Sequence, residues 1–407
     1  MRFHGKEFEL SLFLVALVLS LIGIVLIFSS KYYSSNPSEH NLYLKQMLWL
    51  FFGLTAAAGI FFVPVRFHEA MSWVYYIPAV ILLALLIVVG TKGQFGSARW
   101  FRLGWINFQP SEFAKLAFIF AFARYLSYTR RSIYSFKWLA ATVLLVSLPA
   151  VLIVRQPDLG SALVFFAVLL SMLFWAGVPL LFLVILVSPV LSLVCGFHWL
   201  AWASFFLGFL LILYYHRPRF GFGLFMIVFN LAVGAVTQLF WDRLHGYQQL
   251  RIRTFLDPGI DPQGAGYQIL QSKVAVGSGG ILGRGFLEGS QTRLDFLPLQ
   301  HTDFIFTVAG EEFGLIGALV ILALFTFLVV KGILIAKKAR NTFASFTALG
   351  ITTVFAFQML VNIGMVIGIM PVTGLPLPFL SYGGSSMLLS WMCIGLLLAI
   401  SYKWYEY

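Results

Sequence analysis

Apolar residues in this chain come in runs of about twenty, separated by short polar stretches. Twelve such runs fall at 10–30, 42–64, 71–91, 111–127, 137–154, 160–178, 179–197, 199–215, 220–240, 304–331, 344–370 and 382–402. A hydrocarbon core of roughly 30 Å is crossed by about 20 helical residues. In lipid, a segment of this length satisfies its own backbone only as a helix. The pattern therefore predicts an all-α polytopic integral membrane protein with about 12 transmembrane helices. The first run, Leu10–Ser29, is too long for the apolar part of a signal peptide. No small-residue cleavage site follows it, so it reads as a retained span.

The rhythm breaks once. Residues 241–303 form a 63-residue stretch without a span-length run, and loops of that size tend to be functional. In YQILQSKVAV (Tyr267–Val276), Ile269, Val274 and Val276 fit one helical face, with Gln268, Gln271 and Lys273 elsewhere. That is the pattern of a short helix at the membrane interface. The glycines of GSGGILGRG (Gly277–Gly285) admit tight turns and close approach of the backbone to a ligand.

Composition agrees with the pattern. Hydrophobic residues make up 60% of the chain and charged residues 10%, against about 25% charged in soluble domains. The net charge of +12 does not point to nucleic acid here, and no such partner is expected. It follows the short loops instead. With the N-terminus inside, inner segments carry fourteen Lys and Arg against six in the short outer ones. Lys and Arg favour the cytoplasmic side, so both termini are expected in the cytoplasm and the 241–303 loop outside. The whole of 1–407 reads as one membrane domain. Cys195 and Cys393 sit inside apolar runs and give neither a disulfide framework nor a metal spacing.

Ionisable and amide side chains inside apolar runs are costly and draw attention. Glu112 and Lys115 share a helical face at i,i+3. They form either a structural ion pair, with Ser111 as N-cap, or a cationic site for a phosphate. Asp158, in RQPDLGSA, either caps the next helix or serves as a second acid or cation ligand. Gln358 and Asn362, at i,i+4, suit hydrogen bonding between helices. After them GIMPVTGLPLPFLSYGGSS cannot be one regular helix, given Pro371, Pro376 and Pro378. Irregular backbone at that depth is buried in protein or lines a cavity. Finally, HTD (His301–Asp303) stands at the mouth of the next run, with Glu311 and Glu312 two turns on. Asp303 alone would serve as an N-cap, but three carboxylates exceed what a cap requires.

These stretches resemble the SEDS family (shape, elongation, division and sporulation). The resemblance rests on GSARWFRLGWINFQPSEFAKL (Gly96–Leu116), RQPDLGSA, the stretch GYQILQSKVAVGSGGILGRGFLEGSQTRLDFLPLQHTDFIFTVAGEEFGLIG, and NIGMVIGIMPVTGLPLPFLSYGGSS. VNIGMV and PVTGLPLPFLSYGG look more like the RodA branch of cell-wall elongation than the FtsW branch of division. The resemblance implies a multi-pass peptidoglycan glycosyltransferase of the bacterial cytoplasmic membrane. It would polymerise lipid II and work with a class B penicillin-binding protein, a transpeptidase. It makes Asp303 the expected catalytic carboxylate, and it matches Glu112, Lys115 and Asp158 to family positions. The family core has ten spans, so about two apolar runs within 179–240 are extra. An even number keeps the large loop outside. The arginines of HRPR (His216–Arg219) suit the inner side.

The reaction implied needs a base for the acceptor 4-hydroxyl, positive charge for the leaving pyrophosphate, and a groove for lipid tails. Asp303 is the expected base, and His301 would orient it or the substrate. Lys273, Arg284, Arg99, Arg102 and Lys115 are the expected pyrophosphate ligands, with Glu112 paired to the last. Asp158, Glu311, Glu312 and Asn362 would support. A divalent cation, Mg²⁺ or Mn²⁺, held by Asp303 would bridge to the pyrophosphate; no organic cofactor is expected. Two rival readings stand beside this one. A lipid II flippase shares the broken helix and the intramembrane carboxylates. A non-catalytic scaffold for the transpeptidase would tolerate changes at Asp303.

Overall fold

The computed structural model describes residues 9–34, 39–92, 98–103, 106–129, 136–217, 220–243, 246, 249–250, 254, 265–293 and 299–402. Every one of the twelve apolar runs is helical. In chain order the elements are α1 (Leu10–Tyr32), α2 (Leu42–Phe62), the short α3 (Val65–Ala70), α4 (Ser72–Val89), α5 (Pro110–Thr129), α6 (Phe136–Arg155) and α7 (Leu159–Trp175). They continue with α8 (Leu180–Cys195), α9 (Trp199–His216), α10 (Phe220–Arg243), α11 (Ala265–Gly279), α12 (Ser290–Arg293), α13 (Ile305–Lys338), α14 (Thr342–Val366) and α15 (Gly384–Tyr402). Among the described residues eight helices are long and apolar enough to cross a membrane: α1, α2, α4, α9, α10, α13, α14 and α15. Apolar parts of α6, α7 and α8 are shorter.

One departure from an all-helical chain lies between α4 and α5. There β1 (Thr91–Lys92), β2 (Ala98–Leu103) and β3 (Ile106–Phe108) form an antiparallel sheet in that order. Trp100 pairs with Thr91, and Phe101 with Phe108. Counting apolar runs misses strands this short. Their aromatic and β-branched content is the usual strand signature.

The chain divides into two compact units, residues 1–172 with 257–407 and residues 173–256. The smaller unit holds α8–α10, the region expected to contain the extra helix pair. Its core is Ile185, Phe209, Leu213 and Met226. Amide and hydroxyl groups join its helices: Asn230 Nδ2 donates to Ser188 Oγ at 2.9 Å, and Trp202 Nε1 donates to Ser192 Oγ at 2.9 Å. Such bonds hold helices together where lipid offers no hydrophobic drive.

In the larger unit α2 packs along α15, α4 along α5, and α13 along α1, α11 and α14. α13 is not continuous. At Gly314 the backbone turns to φ 64°, ψ −159°, inside what is otherwise one 34-residue helix. The break releases amide and carbonyl groups, which lipid cannot satisfy. The Gly280–Gly285 segment satisfies them. Arg284 N donates to Glu311 O at 3.0 Å and Gly285 N to Glu312 O at 3.1 Å. In return Leu315 N reaches Gly280 O at 2.9 Å and Ile316 N reaches Ile281 O at 3.2 Å. The glycines expected to approach a ligand therefore approach α13. A Cβ at Gly279 or Gly283 would run into the α13 backbone.

α11 exists as expected, but its buried face differs. Ile269, Ser272, Ala275 and Gly279 point inward, whereas Val274 is 52% exposed. Small residues choose the face because α11 lies against α13 at backbone distance. Ser272 Oγ lies 3.0 Å from Thr307 Oγ1 and donates to Val366 O at 2.7 Å.

The break yields a stability prediction. Gly314→Ala places a Cβ 2.6 Å from Ile281 O in a backbone region that is essentially glycine-only, a strain of about 1–3 kcal/mol. Thermal unfolding of the detergent-solubilised protein should show a lower Tm for the variant. An unchanged Tm would mean that α13 straightens without cost.

Candidate active site

Asp303 lies in the turn 301–304 that leads into α13 and is partly exposed. The N-cap position of α13 is Phe304, so Asp303 stands one residue outside the cap. Asn362 of α14 fixes its main chain. The Nδ2 group donates to Asp303 O and to Leu375 O, both at 2.8 Å. Leu375 belongs to the proline-rich connection 367–383, which is non-helical as expected. Asp303 Oδ2 faces Gly374 of that connection, 3.4 Å from where a Cβ would sit, and Gly374 has φ +72°.

Other polar groups hold the same connection. Tyr382 N donates to His301 O at 2.9 Å, and the two rings lie 5.7 Å apart. Burial raises the Tyr382 hydroxyl above the usual phenol range. Gln46, fully buried in α2, donates to Ser381 O at 3.1 Å and accepts from Gly383 N at 3.2 Å. Ser385 Oγ accepts from Gln109 N and donates to Asn107 O, each at 3.2 Å. That ties the start of α5 to the start of α15. The α1–α2 connection comes close as well. The Lys31 ammonium, 2.7 Å away, holds the Glu39 carboxyl below its ordinary value against some burial, and His301 adds to this.

The expected cations divide. Lys273 is exposed, and its end lies over Gly368 just past the C-terminus of α14, where the helix dipole favours a cation. Its neighbour Ser272 bonds α13 and α14, so Lys273 shares the region of Asp303. Arg284 is exposed and anchored to Ser278 O and Ser290 Oγ, at 3.3 and 2.7 Å. Arg99 donates to the carbonyls of Gln156, at 3.3 Å, and Pro157. It ties the small sheet to the α6–α7 turn. The Arg102 side chain lies outside the described residues. Lys115 meets Glu112 at 2.7 Å with both side chains buried, so the structural ion pair is present.

The remaining carboxylates have structural partners. Asp158 Oδ1 accepts from Ser161 N at 3.2 Å and Oδ2 from Ser161 Oγ at 2.8 Å, an N-cap for α7. Glu311 is fully buried and receives the N-terminus of α12. Gln291 N and Thr292 N donate to it at 2.8 and 3.1 Å, and Ser290 and Thr292 hydroxyls at 3.3 and 2.7 Å. Glu312 accepts from Ser29 Oγ of α1. Gln300 adds a tie from the loop to α1 through Ser30 O at 2.8 Å. The expected set did not include Gln46, Gln300, Ser272 and Tyr382. Gln46 did carry a signal, as an amide inside an apolar run. Gln300 and Ser272 lie in the long loop and Tyr382 opens a run, and none of the three carried a signal.

The molecule is thus a polytopic membrane protein with a partly exposed carboxylate at the mouth of a broken helix. The comparisons place it further. The cell cycle protein family FtsW/RodA/SpoVE matches residues 9–220 and 202–406. The probable peptidoglycan glycosyltransferase FtsW of Trichlorobacter lovleyi is 36% identical, over 98% of this chain and 94% of that protein. The peptidoglycan glycosyltransferase MrdB of Escherichia coli K12 is 33% identical, over 94% and 92%. A chain of a solved peptidoglycan synthase complex superposes with a TM-score of 0.73 at 30% identity, over 98% of this chain and 99% of that one. This chain belongs to the FtsW/RodA/SpoVE family. Relatives named FtsW and relatives named MrdB both match it.

Two predictions follow from the buried groups. Lys115→Ala strands the Glu112 charge and should cost about 3–5 kcal/mol, while Glu112→Gln with Lys115→Met should recover most of it in thermal unfolding. Equal Tm values for all three proteins would remove the pair from the fold. Glu311→Gln puts an amide against the α12 N–H groups. Hydrogen exchange over residues 284–293 should then rise by about tenfold or more, as for a loss of about 1–3 kcal/mol, with α14 unchanged.

Proposed function

We propose that this chain is a peptidoglycan glycosyltransferase that polymerises lipid II at the outer face of the bacterial cytoplasmic membrane, with Asp303 as general base. One observation carries the choice of residue. Glu112, Asp158, Glu311 and Glu312 are each no more than 4% exposed. Asp303 is partly exposed, at a helix mouth, beside irregular backbone. A base must reach the proton it removes.

In the reaction the acceptor 4-hydroxyl oxygen attacks the anomeric carbon of the donor sugar. The bond from that carbon to the pyrophosphate oxygen breaks, and the lipid pyrophosphate leaves with the electron pair. A single displacement inverts the centre. Asp303 takes the hydroxyl proton, and His301 orients it or the sugar. Lys273 on α11 supplies an exposed positive charge, and Arg284, on the loop that follows α11, supplies another. Asp303 also suits a divalent cation, since Mg²⁺ commonly takes one or two carboxylates plus phosphate oxygens. Bound there, the ion would neutralise pyrophosphate charge.

An apolar cavity of about 460 Å³, lined among others by Ile60, His68, Pro78, Phe113, Phe120 and Met392, offers space for a lipid tail. Burial lowers the His68 pKa to about 4, which keeps that lining uncharged at neutral pH. The partner is a class B penicillin-binding protein; the likeness to a chain of a synthase complex supports this. The PVTGLPLPFLSYGG stretch favours the elongation branch. A flippase reading has no observation of its own in its favour.

The test is polymerisation of purified lipid II by the chain with its transpeptidase partner. Asp303→Asn should lower the rate about 10²- to 10⁴-fold, as expected for a lost general base, with folding intact. Polymerisation by that variant at the wild-type rate would remove Asp303 from the role.

A further inference from the structure

Asn362 is fully buried on α14. Its one Nδ2 group donates to two carbonyls from different segments, Asp303 O before α13 and Leu375 O in the proline-rich connection, both at 2.8 Å. The peptide plane after Asp303 is thereby restrained, and with it the point from which the Asp303 side chain leaves the backbone. The second bond fixes the surface that this side chain faces, since Gly374 beside Leu375 lies against Asp303 Oδ2. The connection is braced on its far side too. Thr373 O fills the space where a Cβ of Gly160 would sit, 2.8 Å away on α7. Leu377 N donates to Ser381 Oγ at 2.8 Å, and Ser381 O is held by Gln46. Asn362 is the point where the chain carrying the carboxylate and the chain facing it share one donor.

We propose that Asn362 is a positioning residue for the transferase reaction, holding the Asp303 carboxylate at a fixed place against the Gly374–Leu375 turn. This rests on Asp303 being the base. A purely adhesive amide would join α14 to its neighbours and affect stability alone. A positioning amide changes the rate of the chemical step, because misplacing a reacting group by about 1 Å costs on the order of 10²-fold.

The experiment is a double-mutant cycle in the lipid II polymerisation assay, on the full chain with its transpeptidase partner. Asn362→Ala should lower kcat about 10- to 100-fold, with KM for lipid II within about threefold of wild type. On the Asp303→Asn background the same substitution should cost less than about threefold more, because the group it positions is already gone. Should Asn362→Ala not accumulate as a folded protein, Asn362→Ser keeps one donor in the same space and enters the same cycle. A kcat within about threefold of wild type, or a loss that multiplies in full on Asp303→Asn, would overturn the positioning role. The two ideas fail separately. Wild-type polymerisation by Asp303→Asn sinks the base assignment, whereas an inactive Asp303→Asn beside a fully active Asn362→Ala sinks only the role of Asn362.

Discussion

A polar group held within a bilayer has to find its partner inside the protein, since hydrocarbon supplies none. Much of the larger unit follows from that constraint. The break of α13 at Gly314 frees backbone groups, and the glycine-rich Gly280–Gly285 segment is laid against them. Glycine is needed there because the two backbones nearly touch. Glu311 and Glu312, next to the break, carry the same logic into side chains. One receives the N-terminus of α12 and the other the Ser29 hydroxyl of α1. The long loop is thus fastened to the spans by main chain and carboxylate together.

The same constraint shapes the region of Asp303. The proline-rich connection cannot form a ladder of its own, so its carbonyls and amides are taken up by buried amides and hydroxyls from several helices. Gln46 holds it from α2 and Asn362 from α14. Ser385 ties the start of α15 to the start of α5. A carboxylate set among fixed dipoles can act without large rearrangement. That is what electrostatic preorganisation asks of a site. The site is built from the ends of spans and from irregular chain, while the spans supply rigidity.

Several site residues that look alike in sequence end in different work. Lys115, Arg99 and Lys273 are all cations expected at the pyrophosphate. Lys115 lies beside Glu112 in a dry interior, Arg99 is bound to two loop carbonyls, and Lys273 is exposed over the end of α14. A surface ion pair would be worth little, but a buried pair cannot lose one member without leaving a stranded charge. Asp158 and Asp303 likewise part company. The first is an N-cap and the second stands outside one.

Local pattern was enough for the helical class, all twelve apolar helices, the long loop, and the presence of carboxylates and amides at the ends of spans. The length and hydropathy of a span are local properties, set by bilayer thickness. The i,i+3 pairing of Glu112 with Lys115 was legible for the same reason. The rest came from packing between distant segments. Such packing turned the face of α11 toward its small residues, so that Val274 faces outward, and it gave the glycines of the loop to α13 rather than to a ligand. It also folded the short sheet before α5, and it sent the amide of Asn362 to Asp303 and Leu375. Those outcomes depend on which distant backbone comes within hydrogen-bonding range, and no local pattern encodes that distance.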